Sequence, residues 1–256
     1  MLTPRVVAIA FATLGALLLP ACGSSPNQPD NVTGRPLAVV YRGPAACDGC
    51  PEAVASLLEA SGDFTVEYIG PGEQRQVTAE DLSPVLLYAQ PGGFDDVGVA
   101  LRELGPAAVA ITDWVRGGGR YLGFCMGAYL AGSDPGMGLL APGDTVGHGA
   151  SEAVVLRDGG EAVIPVHWGD ELRYQYAQDA AAIIESKVAG ERVLSRFTNG
   201  EVNALVRPVG EGAVGVVGTH PEAGPDWFTP ELAEADVDGP DHAQALELVD
   251  ALLDVG

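Results

Sequence analysis

The stretch that decides the fold is Gly117–Tyr129, which reads Gly-Gly-Gly-Arg-Tyr-Leu-Gly-Phe-Cys-Met-Gly-Ala-Tyr. Its glycine cluster is typical of a helix end, and the apolar residues that follow begin a strand. The segment Gly123–Gly127 then has the G-x-nucleophile-x-G pattern of a nucleophile elbow, with Cys125 in the place that a serine hydrolase gives to its serine. Glycine is needed on both sides because a Cβ atom there would collide with the neighbouring backbone.

The elbow also places Cys125 at the N-terminus of the helix that follows. The helix dipole and the free N–H groups at that end favour a thiolate over a thiol. The stretch therefore predicts an enzyme-like α/β domain with a cysteine nucleophile.

Strand-like and helix-like segments alternate on the N-terminal side of the elbow. Short apolar runs at 37–41, 64–69 and 85–88 predict strands, and Asp95 is placed to cap the helix that follows the third. The second half is richer in strand patterns and closes with an amphipathic helix at 242–255. This order predicts a three-layer α/β fold with a mostly parallel sheet, in which ligand sites lie at the carboxyl ends of the strands.

The first residues have the layout of a secretory signal. One arginine precedes an apolar run, and Leu19-Pro20-Ala21-Cys22 closes that run in a way that resembles a bacterial lipobox. We expect 1–21 to be a lipoprotein signal peptide and Cys22 to carry fatty acids such as palmitate. A plain secretory signal or an uncleaved anchor is the alternative.

Residues 22–35 form a predicted flexible tether, since the part after Cys22 has almost no apolar content. Residues 36–256 form the predicted α/β domain. The expected location is the extracytoplasmic face of the cell membrane, with the N-terminal lipid as the membrane contact.

The chain is strongly acidic. It has 35 Asp and Glu against 13 Lys and Arg, a formal net charge of −22. Such a surface repels nucleic acid and anionic headgroups, so we expect no nucleic-acid partner and expect the lipid alone to attach the chain to the membrane.

A cysteine nucleophile needs a base, and the chain has four histidines. His148 is predicted in a glycine-rich loop, His167 in an aromatic packing corner, and His242 on the surface at the start of the last helix. His220 stands at a predicted strand end, with Glu222 two residues later. Residues at this spacing share a face of an extended chain, so Glu222 can orient the imidazole of His220.

A cysteine elbow followed by His-Pro-Glu resembles the triad of class I glutamine amidotransferases. Together with a Pro-Gly-Gly loop and the flanks of the elbow, it is similar to the amidotransferase-like domain at the N-terminus of some biotin-protein ligases, over about 37–225. The resemblance implies a flavodoxin-like sheet and a hydrolase-like site, with Cys125, His220 and Glu222 as catalytic residues. It also implies that the backbone amides of Gly92, Gly93 and Met126 bind the oxyanion.

The resemblance does not imply biotinylation, because the chain has no Gly-Arg-Gly-Arg-type adenylation motif. We expect a cysteine-dependent amidase or hydrolase acting on an unidentified small molecule or amide, without a cofactor or a metal. A non-catalytic lipoprotein that binds a small ligand is the alternative from another class.

A second chemical feature is the Cys47-Asp48-Gly49-Cys50 motif, just before a predicted helix. Outside the cytoplasm such a pair is expected to form a local disulfide. Thiol–disulfide exchange remains open because a helix N-terminus activates a thiol. A zinc site is less favoured, since the chain offers no second ligand pair. Both cysteines follow the first strand and could border the cleft that holds Cys125.

Overall fold

The computed structural model describes residues 34–93, 96–133, 135–140, 145–147 and 150–256. Cys22, the predicted signal peptide and nearly all of the predicted tether lie outside the described residues, as do Asp95 and His148. Among the residues that are described, no helix is both long enough and apolar enough to span a bilayer.

The described strands form one sheet of 12 strands. Their bounds are β1 Leu37–Tyr41, β2 Thr65–Ile69, β3 Val85–Gln90, β4 Arg120–Phe124, β5 Thr145–Gly147, β6 Val155–Leu156, β7 Glu161–Trp168, β8 Glu171–Gln178, β9 Ala181–Ile183, β10 Arg192–Phe197, β11 Val202–Val209 and β12 Gly212–Val217. The helices are α1 Cys50–Ser61, α2 Ala79–Leu82, α3 Val97–Leu104, α4 Pro106–Arg116, α5 Met126–Ala131, α6 Pro230–Ala235 and α7 His242–Leu253.

The central part of the sheet is parallel, with the strand order β2-β1-β3-β4-β12. Antiparallel strands β11, β10, β7 and β6 extend it beyond β12. The run of β-branched and apolar residues in the central strands suits burial on both faces of a parallel sheet.

Helices cover both faces of this parallel part. On one face, α1 and α7 pack through buried leucines such as Leu58 and Leu252 against Leu122 and Phe124 of β4. On the other, α3, α4 and α5 pack against the opposite side of the same strands, with Ile111 and Leu130 in that core. The predicted three-layer α/β class is confirmed.

Local sequence signals explain the helix bounds on this second face. The side chain of Asp96 accepts a hydrogen bond of 2.8 Å from the backbone N–H of Val99 and so caps α3. Gly105, with φ of 52°, separates α3 from α4, and Pro106 begins α4. The cap is thus at Asp96, next to the predicted Asp95.

The turn between β4 and α5 is tight at both elbow glycines. A Cβ atom added to Gly123 would lie 2.6 Å from the carbonyl carbon of Gly127, and one added to Gly127 would collide with the carbonyl oxygen of Gln90 on β3. Cys125 itself has φ of 47°. The predicted strand-to-helix elbow is therefore present, and its glycines are required by close backbone approach.

We predict that Gly123→Ala lowers the free energy of unfolding by about 1–3 kcal/mol, because the new methyl group overpacks the turn. Urea denaturation of both proteins measures the difference. Gly117→Ala is the matched control, since Gly117 has φ of −87° and an added Cβ there would lie an ordinary 3.4 Å from its nearest neighbour. Equal losses in the two variants would contradict the packing account.

Candidate active site

Cys125 lies at the carboxyl end of β4, at the edge of the sheet where parallel strands place ligand sites. Its backbone N–H donates to the carbonyl of Val217 on β12, at 2.9 Å, and its side chain is nearly buried in this edge. Positive φ at a non-glycine residue costs on the order of 1–3 kcal/mol and is concentrated at functional sites. The fold therefore holds the sulfur at an otherwise unfavourable backbone position.

His220 and Glu222 follow β12, the parallel neighbour of β4. Nδ1 of His220 is 2.8 Å from Oε1 of Glu222, and the two side chains are 5% and 0% exposed. The backbone N–H of His220 donates to the carbonyl of Tyr176 on β8, at 2.8 Å. The spacing of two residues thus places the carboxylate on the imidazole, as the sequence predicts.

The electrostatics of His220 are set by opposing effects. Burial lowers its pKa, but the negative charges of Glu222 and Cys125 and hydrogen bonds to both side chains outweigh burial and raise the pKa of His220 to about 10. With this pKa the His220 ring is protonated at neutral pH.

The Gly92–Gly93 loop after β3 lies against these residues. A Cβ atom added to Gly92 would lie 2.7 Å from Cε1 of His220, and one added to Gly93 would lie 2.7 Å from Cγ of Met126. The carbonyl of Gly92 accepts a hydrogen bond from the backbone N–H of Cys47, at 3.0 Å. The structure thus brings together all the residues that the sequence placed in the oxyanion-binding loop and the cysteine–histidine pair.

A cavity of about 440 Å³ opens over Cys125. Residues from five separate segments of the chain form its wall: Cys47, Asp48, Cys50, Gly93, Val97, Cys125, Met126, Tyr129, Tyr176, Gln178, Asp179, His220 and Trp227. Its volume is in the range of small-molecule sites.

The aromatic side of the cavity was not predicted from the sequence. Trp227 packs edge-on to His220, with ring centroids 5.2 Å apart, and Tyr176 packs against both rings. The hydroxyl of Tyr129 donates to the carbonyl of Ala180, at 3.0 Å, and thereby ties α5 to the loop before β9. Tyr129 belongs to the elbow helix α5, whereas Tyr176 and Trp227 come from elements that carry no catalytic motif, so only the β-rich pattern of the second half could have pointed to those two.

The charge of the cavity is acidic. Among the described residues that line it, Asp48 and Asp179 are exposed carboxylates and none is a lysine or arginine. Burial and Glu161 raise the pKa of Tyr176 to about 12, while Arg157 opposes them with a smaller effect. The cavity therefore favours neutral or cationic molecules over anions.

Cys47 and Cys50 are joined in a disulfide that forms part of the cavity wall. Cys50 is the first residue of α1 and is buried, whereas Cys47 is half-buried. Of the alternatives open in the sequence, a disulfide at the edge of the cleft is the state that the structure shows.

Within the described part of the chain, no three His, Cys, Asp or Glu side chains are grouped to hold a metal ion.

The other described histidines lie away from the cavity. His167 is exposed on β7, and its neighbour Trp168 is buried and donates through Nε1 to Glu247, at 2.7 Å. His242 begins α7 and is only half-buried, although its Nε2 atom is buried without a hydrogen-bond partner among the described residues. His220 is therefore the described histidine that can serve Cys125.

A comparison with protein families finds one similarity, in the N-terminal part of the chain. Residues 39–135 match the family model described as "Biotin-protein ligase, N terminal". Over these residues the chain is similar to that family. The match includes Cys125, Met126, the Gly92–Gly93 loop and the disulfide, whereas His220 and Glu222 lie beyond its end.

Solved structures similar to this chain share little sequence with it. One is a putative GMP synthase subunit from Thermoplasma acidophilum, with 13% identity, a TM-score of 0.49 and coverage of 84% of this chain and 98% of that one. A cytoplasmic protein from Salmonella typhimurium LT2 has 13% identity, the same two coverages and a TM-score of 0.47. No curated protein matches the chain.

The mixed α/β architecture agrees with the class I glutamine amidotransferase-like fold that the sequence predicts. The parallel pairing of β4 and β12 places Cys125 and the His220–Glu222 pair at the carboxyl ends of adjacent strands.

We predict a pH-dependent contribution of His220 to stability. Its pKa rises from an ordinary 6.5 to about 10 on folding, so its stabilising effect is complete below pH 6.5 and disappears as the pH rises through 10. The difference in free energy of unfolding between wild type and His220→Gln should therefore shrink between these two pH values. Urea denaturation at several pH values measures it, and a difference that stays constant or grows would contradict the imidazolium assignment.

Proposed function

We propose that this protein is a cysteine-dependent amidase or related hydrolase. The observation that carries the proposal is the buried His220 imidazolium, which is paired with Glu222 at 2.8 Å and interacts with Cys125 in the wall of an open cavity. A thiolate held by an imidazolium, with the imidazole oriented by a carboxylate, is an arrangement that activates a cysteine for attack on an acyl carbon.

In the proposed reaction, the Cys125 thiolate attacks the carbonyl carbon of the substrate. The backbone amides of Gly92, Gly93 and Met126 are proposed to stabilise the resulting oxyanion. The His220 imidazolium gives its proton to the leaving amine, and a thioester to Cys125 remains. A water molecule, deprotonated by the now neutral His220, then cleaves the thioester to a carboxylic acid and restores the thiolate.

The shape and charge of the cavity support a substrate class. Trp227 and Tyr176 offer apolar faces beside His220, and Asp48 and Asp179 give the cavity a negative potential. Neutral amides, and amides that carry a nearby amino group, fit this lining better than substrates with a carboxylate next to the reacting carbonyl.

We predict release of amine or ammonia from a panel of neutral, cationic and anionic amides of equal size. Neutral and cationic members should be hydrolysed faster than anionic ones, and His220→Gln should slow the reaction by about 10²–10⁴-fold because proton transfer is lost. Cys125→Ala should abolish turnover, whereas His167→Gln, a change at an exposed histidine outside the cavity, should leave it unchanged. Turnover by Cys125→Ala equal to that of wild type would contradict the proposal.

The volume and aromatic lining of the cavity also favour a second candidate, a non-catalytic small-ligand-binding protein. In that case every amide of the panel would bind without being cleaved. Binding would be measured as a change of fluorescence that is lost in Trp227→Phe, a variant that retains an aromatic ring at the cavity wall.

We further propose that the chain is a lipoprotein attached through Cys22 to the extracytoplasmic face of the cell membrane. Support comes from the apolar run at 6–19 that ends in Leu19-Pro20-Ala21-Cys22. The net charge of −22 provides no electrostatic attraction to anionic headgroups, so the lipid would supply the attachment.

We predict that the full chain, expressed in bacteria fed an alkyne-labelled fatty acid, carries the label and sediments with membranes. Cys22→Ser should lose both, because the acceptor of the lipid is removed. Cys125→Ser is the matched control and should retain the label. Labelling that persists in Cys22→Ser would contradict lipidation at this residue.

A further inference from the structure

The cysteines of the described chain are gathered in one place. The full sequence has four cysteines, and the three that lie within the described residues, Cys47, Cys50 and Cys125, all line the same cavity of about 440 Å³. Cys47 and Cys50 are oxidised to a disulfide while Cys125 is a free thiol. Hydrolysis as proposed uses only Cys125, so the pair beside it has no part in that reaction.

Cys50 is the member of the pair that approaches the imidazole. A Cβ atom added to Gly92 would lie 2.7 Å from Cε1 of His220 and 3.4 Å from Sγ of Cys50. The His220 imidazole and the Cys50 sulfur therefore face the same point beside Gly92. Because Gly92 has no side chain, the space between these two groups stays open. His220 thus interacts with Cys125 and, beside Gly92, faces the same point as the Cys50 sulfur.

Cys47 has a different environment. It is half-buried, next to the exposed Asp48, and its backbone N–H is bonded to the carbonyl of Gly92. A dithiol reductant from solution would therefore reach the Cys47 sulfur before the buried Cys50 sulfur. The pair therefore has one buried sulfur and one partly open to solvent, and both cysteines line the cavity that holds Cys125.

From this geometry we propose that Cys47 and Cys50 are a resolving pair for Cys125, and that the three residues reduce hydroperoxides. The proposal rests on the activated Cys125 of the proposed function but does not depend on amide turnover. Its substrates are hydrogen peroxide or a small organic hydroperoxide, and its electrons come from an external dithiol.

In the first step the Cys125 thiolate attacks the terminal peroxide oxygen. The O–O bond breaks, Cys125 becomes a sulfenic acid, and the departing alkoxide or hydroxide takes a proton from the His220 imidazolium. The Cys50 thiolate then attacks Sγ of Cys125, and hydroxide leaves as water after protonation. Cys47 attacks Sγ of Cys50, which forms the Cys47–Cys50 disulfide and releases the Cys125 thiolate.

The end state of this sequence, a Cys47–Cys50 disulfide beside a free Cys125, is the state in the structure. The net reaction converts one hydroperoxide and two thiols into one alcohol or water molecule, a further water molecule and one disulfide. Reduction of that disulfide by an external dithiol resets the site. The same steps would return an oxidised Cys125 to the thiolate that hydrolysis requires.

The test begins with the fully reduced wild-type chain, freed of reductant and treated with one molar equivalent of hydrogen peroxide. Peptide mapping after rapid alkylation should find the Cys47–Cys50 disulfide and a free Cys125 thiol. In Cys125→Ser, disulfide formation under the same conditions should be at least tenfold slower, a difference of about 1.4 kcal/mol in barrier. Accumulation of sulfinic acid at Cys125 with Cys47 and Cys50 still reduced, or an equal rate in Cys125→Ser, would overturn the proposal.

Two single variants identify the resolving residue. Cys47→Ser should stop the sequence at a Cys50–Cys125 disulfide. Its matched control, Cys50→Ser, should accumulate sulfenic acid at Cys125, which becomes sulfinic acid when a second equivalent of hydrogen peroxide is added. Trapping that is equally efficient in both variants would overturn the assignment of Cys50. The wild-type measurement does not require either variant to fold. Because no amide is present, a chain without amidase activity can still pass this test, and an active amidase can fail it.

Discussion

The parallel pairing of β4 with β12 is the constraint on which the rest of the site depends. Val217, the last residue of β12, lies beside Phe124, the last residue of β4, and its carbonyl accepts the backbone N–H of Cys125 at 2.9 Å. Two strands separated by more than 80 residues thus end at one edge, so that Cys125 and His220 meet there. The antiparallel β8 completes the arrangement, because the carbonyl of Tyr176 fixes the backbone of His220.

The charged side chains of His220 and Glu222 are buried at this edge of the sheet. Burial of a charged group costs free energy unless the group has a partner of opposite charge or a hydrogen bond. Glu222 is fully buried, and its Oε1 atom is paired with the imidazole while Oε2 has no hydrogen-bond partner among the described residues. Removal of the histidine would therefore leave a buried carboxylate without its counter-ion. The interactions that keep His220 protonated stabilise the fold. In the proposed hydrolysis they also keep His220 ready to donate a proton to the leaving amine.

The elbow and the His-Pro-Glu segment were predictable from sequence because each is encoded locally, by glycines at a tight turn or by a spacing of two residues on an extended chain. The cavity wall was not, since Tyr176 lies on β8, where the alternation in Glu-Leu-Arg-Tyr-Gln-Tyr indicates a strand but not the elements that the strand packs against. Trp227 lies in a single 3₁₀ turn. Their position depends on long-range packing, which no single segment specifies. At Cys47 and Cys50 the sequence favours a disulfide, and the structure adds that this disulfide lines the same cavity as Cys125.

The central proposal is that His220 activates Cys125 as a nucleophile, and the rate of Cys125 alkylation by iodoacetamide between pH 5 and 9 tests this most directly. Labelling at Cys125, followed by peptide mapping, should be fast and nearly independent of pH through neutrality in the wild type. In His220→Gln it should fall at low pH and rise toward about pH 8.5, as for an ordinary thiol. A wild-type profile that coincides with that of His220→Gln would contradict the account.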